Sequence, residues 1–171
     1  MSPVFVGQSS LREDVVHYIA PHHETVPEML DGLQLLEKNT RGQEAIVRAA
    51  VLAFGFVYIH PMADGNGRIH RFLINDTLQR DGAIPQGIIL PISATITHVR
   101  EFAHGYDQVL EGFSRPFMQR YASDYAFGPV TAYADGVRSN LVFDAYEDAL
   151  AAWRYPDLTQ HVLYTAQVIA H

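Results

Sequence analysis

The stretch from Gln43 to Ile59 constrains this chain more than any other. Its apolar residues Ile46, Ala49, Ala50, Ala53, Phe56 and Val57 recur every three or four positions, the spacing of one buried helical face. The helix cannot run on. His60-Pro61-Met62-Ala63-Asp64-Gly65-Asn66-Gly67 follows, with a proline that removes a backbone donor and two glycines that favour a turn. From Arg68 the helical spacing returns through Ile69, Phe72, Leu73 and Leu78, and Gly82 supplies a stop. Residues 43–82 therefore predict a helix-loop-helix core.

Around that core the pattern is mainly α with a small β element. Pro3 to Gly7 and Val15 to Ile19 are short β-prone runs separated by a polar stretch, which predicts a hairpin or extended flap within residues 1–20. Thr25-Val26-Pro27-Glu28 reads as a capping box opening a helix to about Lys38, with Thr25 as the cap and Glu28 reaching back. Ser93 is placed to cap a helix running toward Arg100, and Phe102, Tyr106, Val109, Leu110 and Phe113 mark another. Ala126 to Ser139 reads as an irregular or hairpin stretch and Leu141 to His171 as one or two helices, so residues 126–171 form a C-terminal extension. With 171 residues, no internal repeat and no linker, the expectation is one domain over 1–171.

Composition narrows the function. Nineteen acidic against twelve basic residues give a net charge of −7, which repels a polyanion and argues against a nucleic-acid partner. No run of eighteen apolar residues is present to cross a bilayer, so no membrane partner is expected. Cysteine is absent, which removes disulfides and thiolate metal sites. Together with an N-terminus that lacks a secretory signal pattern, this fits a cytoplasmic location.

The loop carries the chemistry. Glycine-flanked Asn66 at a helix N-terminus leaves backbone N–H groups unpaired at the positive end of the dipole, a place that binds anions. Arg68 and Arg71, three apart, can both close on a phosphate chain with forked hydrogen bonds. Asp64 is a single carboxylate of the kind that shares Mg²⁺ with phosphate oxygens and water. His60, four residues before it, has the side chain best suited to take a hydroxyl proton near neutral pH. Each residue alone has an ordinary reading as a cap, a turn or a solvated helix face. Together, within twelve residues, they build one site.

Other phosphate and metal sites are excluded by the same residues. Lys38, the only lysine, is far from any glycine loop, so no P-loop exists. A dinucleotide fingerprint would need glycine at His70 and a strand before the loop. No H-E-x-x-H occurs, and His22-His23 beside Pro21 reads as surface histidine.

The stretch His60-Pro61-Met62-Ala63-Asp64-Gly65-Asn66-Gly67-Arg68-Ile69-His70-Arg71 closely resembles the signature of the Fic family, H-P-F-x-[D/E]-G-N-G-R-x-x-R. Met62 stands where the family has a phenylalanine that packs inward. Further similarity runs through the flap before Tyr18, Val26-Pro27, Ser114-Arg115-Pro116 and Tyr155-Pro156-Asp157-Leu158-Thr159. The resemblance implies a mainly α Fic-type bundle and a protein adenylyltransferase that moves AMP from ATP onto a Ser, Thr or Tyr hydroxyl. It implies His60 as general base, and Asp64 holding Mg²⁺ or Mn²⁺. Gly65, Asn66 and Gly67 would lie at the α-phosphate, and Arg68 and Arg71 on the β- and γ-phosphates. A flap at Val4, Phe5 and Val6 would pair with the target protein as an added strand.

In phosphorylating members the second glycine is replaced by lysine, and Gly67 is intact. Inhibitory helices of the family carry [S/T]-x-x-x-E-[G/N]. Ser9 to Asp14 and Thr40 to Ala45 meet that pattern only in part, so an inhibitory helix or antitoxin from outside this chain is expected, and the chain reads as a fragment of a longer protein. The competing readings are transfer of another nucleotide, removal of AMP, and a regulatory module that holds nucleotide without transfer. Tyr106 is a possible stacking group for the base, with a core aromatic as the ordinary alternative.

Overall fold

A computed structural model of the chain describes residues 4–9, 14–133, 136 and 138–171. Pro3, the 10–13 stretch with Glu13, and residues 134, 135 and 137 of the expected second hairpin lie outside the described residues. The architecture is mainly α: seven helices and two antiparallel two-stranded sheets among the described residues. In chain order these are β1 (Phe5–Ser9), β2 (Asp14–Ile19), α1 (Val26–Asn39), α2 (Ala45–Ile59), α3 (Asn66–Arg80), α4 (Ile92–His98), α5 (Arg100–Arg120), β3 (Tyr125–Ala132), β4 (Arg138–Phe143), α6 (Tyr146–Arg154) and α7 (Thr159–Ala170).

α2 is the centre. The periodicity predicts one buried face, but Ala49, Ala50, Leu52, Ala53, Phe54, Val57, Tyr58 and Ile59 are all buried, which surrounds most of the helix. The reason is that α1, α3 and α7 pack around it, and a helix apolar on nearly every side belongs inside. Fully burying Phe54 alone removes enough apolar area from water to be worth about 2–3 kcal/mol. α1, α2 and α3 are joined by one buried cation. The Arg48 guanidinium donates to Asp81 through Nε at 2.6 Å, to the Glu37 carbonyl at 2.9 Å and to Thr40 Oγ1.

Two expected caps are not used as read. Thr25 has helical backbone angles and its hydroxyl donates to the His22 carbonyl at 2.8 Å, closing a turn before the helix. Glu28 pairs with Arg154 at 2.8 Å rather than reaching back, so no capping box forms. Ser93 lies inside the first turn of α4, behind Pro91, and its hydroxyl accepts from Arg71 Nε at 3.1 Å. The helix of Phe102 to Phe113 continues through Ser114-Arg115-Pro116 to Arg120.

Both hairpins form. β1 and β2 pair from Phe5 opposite Ile19 to Ser9 opposite Asp14, with a register break between Val6 and Gly7. β3 and β4 pair from Tyr125 opposite Phe143 to Ala132 opposite Arg138. The second hairpin meets the first where the Phe5 and Phe127 rings stand edge to face at 6.1 Å.

Candidate active site

α2 ends in a turn that only one side chain in the loop has to tolerate. His60 takes up left-handed angles (φ 50°, ψ 53°) while its N–H still donates to the Phe56 carbonyl at 3.0 Å. That conformation costs a residue with a Cβ roughly 1–2 kcal/mol. His60 Nδ1 lies 3.3 Å from the Val57 carbonyl, which can only accept, so Nδ1 carries the proton and Nε2 keeps its lone pair. Burial pushes the imidazole pKa below its ordinary value, with the Val57 hydrogen bond opposing. The ring is therefore neutral at pH 7.

Asn66 closes the loop. Its buried side chain accepts from the Met62 N–H at 3.1 Å and donates to the Met62 carbonyl at 2.6 Å. The inward packing expected at Met62 is not seen: the residue is 42% exposed, and it is held to the loop through its backbone. Gly65, at φ 97°, supplies the left-handed step that starts α3, and its carbonyl accepts from the Arg68 and Ile69 N–H groups. Of the first-turn amides of α3, those of Asn66 and Gly67 are left without a helical acceptor.

The two glycines also make room for the two arginines. A Cβ at Gly65 would lie 3.3 Å from Arg68 Nη2, and one at Gly67 would lie 3.4 Å from Arg71 Nη1. Each guanidinium thus rests beside one glycine of the loop. Arg68 is paired with Asp64 at 2.8 Å, and both are exposed; Arg71 is half-buried and held by Ser93.

His60, Asn66 and Gly67 line an open cavity of about 860 Å³ that the flap and α5 also border. Val6 lines it and is exposed, whereas Val4 and Phe5 pack against the core. Asp107, Glu111, Ser114, Arg115 and Met118 come from one face of α5; of these the sequence singles out only Ser114 and Arg115, as a stretch similar to the family and not as part of the site. Their spacing of three and four is a helical stripe and was a usable signal. Tyr106 packs its ring against His70 and Phe54, as a core aromatic does, and also lines the cavity. His22 and His23 are half-buried rather than on the surface, with rings 4.2 Å apart and His22 against Tyr146. Among the described residues no group of three or more His, Asp or Glu could hold a metal, and no helix is long and apolar enough to cross a membrane.

The chain is similar to two protein adenylyltransferases named fic-1. It is 31% identical to that of Caenorhabditis briggsae over 124 residues, 71% of this chain and 23% of the relative. With that of Caenorhabditis elegans it shares 30% identity over 117 residues, 68% and 21% of the two chains. The protein adenylyltransferase Fic of Drosophila mojavensis is 37% identical over 76 residues, 44% of this chain and 14% of the relative. Residues 3–78 match the model of the Fic/DOC family.

The chain belongs to the Fic/DOC family.

It spans less than a quarter of the length of these curated relatives. The Fic/DOC match ends at Leu78, inside α3, so the α5 wall of the cavity and the second hairpin lie beyond it.

Proposed function

We propose that this Fic/DOC chain transfers AMP from ATP to a Ser, Thr or Tyr hydroxyl of a target protein, releasing pyrophosphate. The observation that carries this reading is that His60, its Nε2 lone pair free of the Val57 hydrogen bond, lines the same cavity as Asn66 and Gly67 at the start of α3. A base and an anion site then share one space. The similarity to proteins named adenylyltransferases supports AMP as the group moved.

In this mechanism His60 Nε2 takes the hydroxyl proton as the target oxygen bonds to the α-phosphorus. The bond from that phosphorus to the bridging oxygen breaks, and pyrophosphate leaves. The first-turn amides of α3 hold the α-phosphate as charge builds on it, and Arg68 and Arg71 hold the outer phosphates. Asn66 contributes mainly by fixing the loop, although its amide keeps a second N–H for a ligand. Asp64 is an exposed hard-oxygen donor, which fits a Mg²⁺ or Mn²⁺ shared with phosphate oxygens and water. Such an ion, when bound, would offset phosphate charge. Because Asp64 is paired with Arg68, both must exchange partners when nucleotide arrives. The flap strand β1, paired on one side only, offers its other edge to an extended target segment at Val6.

Incubation with Mg²⁺, α-labelled ATP and a cell lysate is the test. Label should appear on protein with the wild-type chain and disappear with His60→Ala. Equal labelling in both overturns the base assignment. Labelling from GTP, UTP or CDP-choline but not ATP gives a different donor, and release of AMP from modified protein gives the reverse reaction. Binding of ATP without any transfer leaves a regulatory module.

A further inference from the structure

One face of α3 carries a ladder that begins in the motif and ends well outside it. Arg71, Asn75 and Gln79 are spaced four apart, so their side chains form a single stripe. Each grips the segment 88–93. Gln79 Nε2 donates to the Ile88 carbonyl at 2.5 Å. Asn75 takes Leu90 by both backbone groups, accepting from its N–H at 2.8 Å and donating to its carbonyl at 3.1 Å. Arg71 Nε then donates to Ser93 Oγ at 3.1 Å. The segment is strapped to α3, and its last hydroxyl reaches back to the site.

The consequence for Arg71 is geometric. An arginine near the start of a helix has several rotamers to lose when it binds a ligand. Here Nε is tied to Ser93, and Nη1 rests 3.4 Å from where a Cβ of Gly67 would be. One edge of the guanidinium is occupied, and the outer nitrogens are left to donate. Arg68 has no such tie, because its partner Asp64 is itself exposed.

We infer that Ser93 is a positioning residue for the nucleotide's outer phosphates: through its bond to Arg71 Nε, backed by the Asn75 clamp on Leu90, it presets the guanidinium that receives them. This rests on the proposed function. It adds that the grip on a triphosphate is built partly by a segment that the Fic/DOC match does not cover.

Titration calorimetry on the whole chain tests this with Mg²⁺-ATP, inorganic pyrophosphate and AMP as separate probes. Ser93 is exposed, so Ser93→Ala should fold. Its Kd for ATP and pyrophosphate should rise about tenfold, as expected when one charge-assisted orienting bond is lost, while AMP binding stays unchanged. Ser93→Thr keeps the hydroxyl and should restore both. The Arg71 Nε–H signal in a nitrogen–proton spectrum should shift in Ser93→Ala and return in Ser93→Thr. Equal ATP affinity in wild type and Ser93→Ala overturns the positioning role alone, as does a parallel loss of AMP. A wild-type chain that binds neither ATP nor pyrophosphate overturns it together with the nucleotide reading.

Discussion

Asn66 holds Met62 by both its N–H and its carbonyl, so one buried amide side chain determines the shape of the loop between α2 and α3. Asn66→Ala removes both bonds and strands two backbone groups, a loss of about 2–4 kcal/mol at one to two for each unpaired group. Asn66→Asp keeps the acceptor for Met62 N–H but places a second acceptor against the carbonyl. Thermal melts should rank wild type above Asp and Ala, and both variants should lose transfer activity.

His60 occupies a backbone position that glycine would adopt without strain. His60→Gly should therefore be more stable than His60→Ala by about 1 kcal/mol in urea denaturation, while both are inactive. Equal stability of the two would show that the left-handed turn stores no strain. Because burial lowers the His60 pKa, activity should hold as pH falls below the usual imidazole range and fail only at lower pH.

Two further histidines couple stability to pH. His70 is fully buried with both ring nitrogens unpaired, and burial holds its pKa at about 3; burial likewise holds His161 at about 4. Both are ordinary histidines when unfolded, so between those values and roughly 6.5 the unfolded state binds more protons. Stability is then complete above that range and falls as pH drops. From pH 7.5 to 5 the loss should be about 2 kcal/mol for each histidine. Denaturation curves at the two values should show this, and His70→Leu should remove one share of the slope.

Arg48 is buried and joins the ends of α1 and α3 to α2. Arg48→Met leaves Asp81 without its partner and should cost about 3–5 kcal/mol. Arg48→Met with Asp81→Asn should recover much of that. A double variant no better than the single would show that the fork to Asp81 is not the important contact.

The helices and the loop were legible because their signals are local. Apolar spacing gave α2 and α3, and Pro61 with Gly65 gave the break between them. The helix over Phe102 to Phe113 was visible for the same reason, but its run through Pro116 depends on packing. Thr25 and Glu28 misled because a capping pattern says which bonds are possible, and His22 and Arg154 offered competing ones. The tie between Arg71 and Ser93 spans 22 positions and could not be read from spacing at all. Nor could the burial of α2 on most sides, which follows from where α1 and α7 dock.

Tyr18 on β2 donates its hydroxyl to the carbonyl of Tyr58, two residues before His60, and Tyr58 in turn pairs with His161 on α7 at 2.6 Å. The strand that frames the flap and the helix end that carries the imidazole are thereby geared together. Any change in the seat of β2 therefore reaches the last turn of α2 through a single phenol, two residues before the imidazole.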